Sequence, residues 1–171
     1  MPIYLVNDPE YNRYASSYFS KFKSVWHHGD WAMETKNGGI IIYGRSDATL
    51  NRSGVRIGTS ELYNALSHLK AVEDALVVHV QNAHQDQLLL FVQASKVIDT
   101  DAVKQHIRKS CSPRHVPDAV YVIPEIPYTI SGKKIEIPIK RLLQGEKLED
   151  VVSLDTLRNP NALQWFLKQF G

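Results

Sequence analysis

The sequence predicts an α+β domain: a small sheet of about three main strands packed with helices, with a β-hairpin lying to one side. Three observations carry this. "ALVVHV" (75–80) and "QLLLFVQA" (87–94) are apolar runs of strand length, as expected for buried strands. "AVYVI" (119–123) is a third strand, rich in β-branched and aromatic residues. Between and after these runs lie segments with helical spacing and recognisable starts, so strands and helices are interleaved in one layered unit.

Taken in order, "IYLV" (3–6) reads as strand-like, and Asp8 with Pro9 makes a helix start. Tyr11, Tyr14, Ala15, Tyr18, Phe19 and Phe22 then recur at helical spacing, a stripe with little nearby to pack on. "DWAMET" and "GGIIIYGR" flank Asn37 and Gly38, a pair suited to a tight hairpin with positive φ at both central residues. "ATLNRSGVRI" (48–57) predicts a second short hairpin, and Thr59 a cap for a helix through "SELYNALSHL". Asp99 or Thr100 starts a helix through "DTDAVKQHIRKSC". Pro138 suits the first turn of another, ended by Gly145, and Asn159 with Pro160 opens a last helix through "ALQWFLKQF".

Composition narrows the function classes. With 171 residues, 43% hydrophobic and 22% charged, the chain is long enough for one good core or two small ones and is not disordered. Its single cysteine, Cys111, excludes a disulfide framework and a thiolate cluster, and favours a reducing compartment; the bland reading of Cys111 is a buried inert thiol. The longest apolar runs fall short of a membrane span and the first residues lack a secretion-signal pattern, so a cytoplasmic protein without a membrane partner is expected. A net charge of +2 gives no reason to invoke nucleic acid.

The chemistry-bearing stretch is "IPEIPYTISGKKIEIPIKRLL" (123–143). Pro124, Pro127 and Pro138 bracket a turn, Thr129 and Ser131 can bond its backbone, and Gly132 permits a conformation closed to other residues. Such a turn presents Lys133 and Lys134 at low entropic cost, and a positioned ammonium acts as a point charge on phosphate or a developing anion. At an effective dielectric near 20, two unit charges about 4 Å apart attract by roughly 4 kcal/mol. A solvated turn lysine is the alternative, and no glycine-rich Walker-type loop is present.

Two further stretches hold candidates. "HHGDWAMETKNGGIIIYGRSD" places Asp30 and Arg45 at opposite ends of a hairpin, where a carboxylate beside glycine can accept hydrogen bonds from a sugar diol; an exposed salt bridge is the bland reading. Adjacent histidines on a strand point to opposite faces, which argues against a metal at His27 and His28. "NRSGVRIGTSEL" sets Arg52 and Arg56 around Gly54 just before a helix N-terminus, an arrangement that suits phosphate but equally a solvated arginine pair. Arg108 and Lys109 end a helix, where cations are favoured by the dipole without any ligand.

Together, "HHGDW", "YGRSDATLNRSGVRIGTSELYNAL", "HIRKSCSPRHVPD" and "PYTISGKK" resemble the C-terminal part of the adenylate-forming acyl-CoA synthetases, the superfamily of firefly luciferase and of peptide-synthetase adenylation domains. The resemblance covers nearly the whole chain. Within the superfamily, "FKSVWHHGDW", "YTISGKKIEIPIKRLLQG" and "SLDTLRNPNALQWF" look most like the ligases of acetoacetate.

This resemblance implies a carboxylate activated by MgATP to an acyl-adenylate, then transferred to CoA with loss of AMP. It implies that residues 1–46 are the tail of a large N-terminal adenylation domain and that 47–171 are a mobile lid swinging about Asp47. Asp30 and Arg45 would hold the ATP ribose, Lys133 would bridge carboxylate and phosphate, and Lys134 would be only its neighbour. Gly54 would line the pantetheine tunnel, Arg56 would meet phosphate, and Arg108 would approach the CoA nucleotide. Two departures stand out: His28 precedes Gly29 and Asp30 where most relatives have threonine, and "KIEIPIK" is less basic than usual. The phosphate loop and acyl pocket of such enzymes are not in this stretch. The competing reading is a free-standing module that binds nucleotide or protein without catalysis.

Overall fold

A computed structural model describes residues 2–46, 50–52, 55–81 and 86–170. The chain divides into two compact units, Met1–Asp47 and Ala48–Gly171. Among the described residues no helix is long and apolar enough to cross a membrane.

The first unit holds helix α1 (Asn12–Tyr18) and the hairpin β1 (Asp30–Glu34) and β2 (Ile40–Arg45). Asp8 is buried, and its carboxylate accepts from the amides of Arg13 and Tyr14 at 3.0 and 2.7 Å, so it satisfies two N–H groups at the start of α1 from several residues upstream. Its own burial works against the charge, but those amides outweigh it and hold the carboxyl below its usual value. The aromatic stripe packs on itself: Tyr14 meets Tyr18 at 5.4 Å and Phe19 at 5.8 Å between ring centroids. No residue of α1 is buried.

Two expectations fail here. Residues 3–6 form no strand, and among the described residues no strand pairs with them. The β1–β2 turn needs one positive φ, not two. The amide of Gly38 donates to the Thr35 carbonyl at 2.9 Å, Gly38 alone takes φ +77°, and Thr35 N donates to the Gly39 carbonyl at 2.7 Å. This is the three-residue connection closed by a glycine bulge.

The second unit opens with the short hairpin β3 (Leu50–Arg52) and β4 (Val55–Ile57), followed by α2 (Thr59–Ser67). Strands β5 (Asp74–Gln81) and β6 (Asp86–Gln93) pair antiparallel; α3 (Thr100–Ser110) crosses over, and β7 (Ala119–Ile123) returns parallel to β6. The sheet order β5-β6-β7 leaves β5 at an edge. Helices α4 (Glu136–Leu143), α5 (Leu148–Val151) and α6 (Leu163–Phe170) complete the unit.

Alternation along the strands sorts the core into two layers. Leu76, Val78, Val80, Leu89 and Phe91 face Ile126, Ile135, Ile139, Leu163 and Phe166, whereas Val77, Leu88, Leu90 and Val92 face Leu50, Ile57, Leu62, Val103 and Ile107. A sheet covered on both faces explains why its two longest strands are apolar through their centres, His79 apart. Local signals hold up well: Asp99 caps α3 through Asp101 N and Ala102 N, and Gly145, at φ +88°, follows α4. Thr59 proves to be the first helical residue of α2, with Gly58 at the cap position.

Phe166 is fully buried and meets Phe91 edge-on at 4.9 Å. Phe166→Ala is expected to cost about 3–5 kcal/mol in a urea-unfolding experiment. Val122→Ala, at a half-exposed position of β7, should cost under about 1 kcal/mol in the same assay.

Candidate functional site

The lysine stretch folds as a hydrogen-bonded turn. Tyr128 and Lys134 form an antiparallel bridge at its base. Thr129 N donates to the Lys133 carbonyl at 2.9 Å, Gly132 N to the Thr129 carbonyl at 2.9 Å, and Lys133 N to Thr129 Oγ1 at 3.0 Å. Thr129 Oγ1 and Ser131 Oγ lie 3.0 Å apart. Gly132 takes φ +78°, with open space where a Cβ would stand, so its need for glycine is conformational and not steric.

A second support comes from residues 156–159, which run beside the turn. Thr129 bridges Leu157, Ile130 N donates to the Thr156 carbonyl at 2.9 Å, and Arg158 N donates to the Tyr128 carbonyl at 2.9 Å. Asn159 sends its side chain back to this segment, accepting from Tyr128 N at 2.8 Å and donating to the Ile126 carbonyl at 2.9 Å. Thus the Asn-Pro pair opens a helix as expected and also fastens the lysine turn.

The two lysines part company. Lys133 is exposed at the end of the turn. Lys134 points back into the domain: its Nζ donates to Asp74 Oδ1 at 2.6 Å and to the Ala75 carbonyl at 2.7 Å, and lies 4.3 Å from the Tyr63 ring centroid. Tyr128 donates its hydroxyl to Asp74 Oδ2 at 2.5 Å. Burial, then this carboxylate, pushes the Tyr128 phenol up to about 12. Tyr63 accepts from Val77 N at 3.1 Å and donates to Glu136; burial and that carboxylate raise its phenol far above the ordinary value.

The other candidates fall as follows. Asp30 and Arg45 are cross-strand partners in the β1–β2 register, so the hairpin brings them together at its open end; Asp30 also meets the His28 ring, and the Arg45 side chain lies outside the described residues. Asp47 and Gly54 lie outside the described residues, as does the side chain of Arg56, whose backbone pairs with Asn51. Arg108 is exposed in the last turn of α3. The residues flanking Lys133 pack on one sheet face, and α3 packs on the other.

Arg52 is engaged within the fold, donating to the Val116 carbonyl at 2.6 Å and to Asp118 Oδ1 at 2.5 Å, while Asp118 Oδ2 accepts from Leu88 N at 2.7 Å. An open cleft of about 480 Å³, lined by Glu61, Asn64, His68, Ser110, Cys111 and His115, lies where α3 ends. His115 is buried between Glu61 Oε2 at 2.7 Å and Ser112 Oγ at 2.8 Å. Burial first, and Glu61 second, raise the Cys111 thiol, which keeps it protonated and argues against a nucleophile.

Residues 61–133 match the family of the AMP-binding enzyme C-terminal domain. Over that stretch the chain is similar to the C-terminal domain of AMP-binding enzymes. Of the candidate residues, Arg108 and Lys133 lie within the matched stretch, and Lys133 is its last residue. The chain is 39% identical over 171 residues to an acetoacetyl-coenzyme A synthetase of Rhizobium meliloti (strain 1021), covering 97% of this chain and 26% of that one. It is 40% identical over 165 residues to a malonamoyl-CoA synthetase of Penicillium aethiopicum, covering 91% and 23%. The solved acetoacetyl-CoA synthetase from Streptomyces lividans superposes with a TM-score of 0.89 at 40% identity, covering 99% of this chain and 26% of that one. The chain therefore spans about a quarter of the length of these relatives.

The residue that anchors the lysine turn to the sheet is not legible from local sequence. Asp74 stands 54 residues from Tyr128 and 60 from Lys134 in sequence, and no spacing rule reaches that far. Gly132 was legible. Gly132→Ala, strained by its positive φ alone, should lower stability by about 1–2 kcal/mol and speed amide exchange at position 132 and at Lys133. Exchange within β6 should be unchanged in the same spectra.

Proposed function

We propose that this chain is part of an acid–thiol ligase that activates a short carboxylate, acetoacetate by its similarity, with ATP and transfers the acyl group to CoA. In the first half-reaction a carboxylate oxygen attacks the α-phosphorus and pyrophosphate leaves. In the second the CoA thiol attacks the acyl carbonyl and AMP leaves. The observation that carries this reading is the exposed Lys133 ammonium on a turn bonded along both sides, in a domain similar to those of synthetases.

In this reading residues 1–46 belong to the large domain that completes the enzyme, and 47–171 form its lid, hinged at Asp47. The self-packed aromatic stripe and the exposed Val25, Ile40 and Ile42 of the first unit suit a segment that further protein covers. Asp30 and Arg45, paired across β1 and β2, orient the ribose hydroxyls. Lys133 spans carboxylate and phosphate and offsets the charge that builds during adenylation. Gly54 then lines the pantetheine path, Arg56 meets phosphate and Arg108 the CoA nucleotide. Lys133 and Arg108 sit on segments packed against opposite sheet faces, which fits a lid that shows one side in each half-reaction.

Mg²⁺ enters with ATP. Among the described residues no group of three or more histidine, cysteine or acidic side chains is arranged to hold a metal. The lone half-buried thiol fits a cytoplasmic location. The similarity to synthetases favours this reading over a free-standing nucleotide- or protein-binding module. A malonamoyl-CoA synthetase is as similar as the acetoacetyl-CoA enzymes, which supports acyl selection by the remaining protein.

Lys133→Ala in the complete enzyme should slow adenylation by about two orders of magnitude or more. Thioester formation from preformed adenylate should survive. Equal loss in both half-reactions would contradict the lid assignment.

A further inference from the structure

We infer that Asp74 is a positioning residue for Lys133: one carboxylate at the start of the edge strand β5 clamps both legs of the lysine turn. This rests on the reading of Lys133 as the adenylation lysine. The base of the turn is the Tyr128–Lys134 bridge, and each of these two side chains ends on a different oxygen of Asp74: the Tyr128 hydroxyl on Oδ2 at 2.5 Å, the Lys134 ammonium on Oδ1 at 2.6 Å. Asp74 is itself fixed, because Oδ1 also accepts from Ala75 N at 2.8 Å and its backbone is paired with Gln93 in the sheet. Lys134 is held on its remaining sides by the Ala75 carbonyl and the Tyr63 ring.

The chemistry requires an anion with two acceptor oxygens. A phenol and an ammonium are both donors toward Asp74, and only an ionised carboxylate accepts from both at once. An asparagine of the same shape offers one acceptor and turns an amide NH₂ toward either a hydroxyl or an ammonium. With the amide oxygen on Lys134, the Tyr128 hydroxyl must turn from donor to acceptor, and the ammonium loses its counter-charge. The tip, residues 130–133, is exposed, so the height and tilt of Lys133 depend on how firmly the base is seated. Displacement of a catalytic group by about 1 Å costs on the order of a hundredfold in rate. The pair "KK" therefore divides labour: Lys134 anchors and Lys133 acts.

The test combines two readouts. In this chain, Asp74→Asn should speed amide hydrogen exchange at Thr129, Gly132 and Lys133 by about tenfold or more, with exchange at Leu90 and Phe91 of the sheet centre unchanged; unchanged turn amides would overturn the clamp whatever the chemistry of Lys133. In the complete enzyme, Asp74→Asn should slow adenylation about ten- to hundredfold, spare thioester formation from preformed adenylate, and be largely rescued by Asp74→Glu. Tyr128→Phe, which removes one donor and little volume, should show the same split at smaller size and covers the case in which Asp74→Asn does not fold. Combined with Lys133→Ala, Asp74→Asn should add no further loss of adenylation. Additive loss would mean that Asp74 acts elsewhere, and equal slowing of both half-reactions would reduce it to general support. If Lys133→Ala alone leaves adenylation intact, the reading of Lys133 fails while the exchange result still decides the clamp.

Discussion

A two-oxygen anion at the first residue of an edge strand is the contact on which the proposed working part depends. Asp74 draws together Tyr128 and Lys134, residues of the irregular segment between β7 and α4. Without that contact the turn would keep residues 156–159 along one side and, at its base, the Ala75 carbonyl and Tyr63 ring against Lys134 alone. With it, the turn is fastened to the most rigid body available, a sheet buried on both faces. Half-buried ion pairs seldom add much net stability, so the value of this one lies in fixing geometry.

The same logic runs through the rest of the second unit. Arg52 ties the β3–β4 hairpin to the 114–118 loop through backbone carbonyls and Asp118, and Asp118 in turn ties that loop to β6. His115 links the loop to α2 through Glu61. Charged side chains that look from the sequence like ligand contacts are thus spent on joining irregular segments to the sheet. Those left at the surface, Lys133 and Arg108 among them, are the candidates for substrate. Burial and hydrogen-bond geometry, more than residue type, separate the two groups.

What was legible in the sequence follows the range of the interaction. Strands β5 and β6 are readable because burial on two faces leaves an apolar run, and α3 because Asp99 caps it two and three residues on. The turn at 128–134 is readable because Thr129, Ser131 and Gly132 act within it. Residues 3–6 mislead, since strand propensity without a neighbour makes no strand. The support from 156–159 is hidden because it is irregular backbone whose bonds go to main-chain atoms some thirty residues away. The resemblance makes Lys134 only the neighbour of Lys133; its anchoring role needs a partner sixty residues upstream.

Amine footprinting of the complete enzyme measures the separate fates of the two lysines most directly. With a small acylating reagent, Lys133 should label quickly in the free enzyme and become protected when ATP and the carboxylate are both present. Lys134 should label slowly in both states. Equal labelling of the two lysines, or a Lys133 rate indifferent to substrates, would contradict a turn that anchors one ammonium and delivers the other.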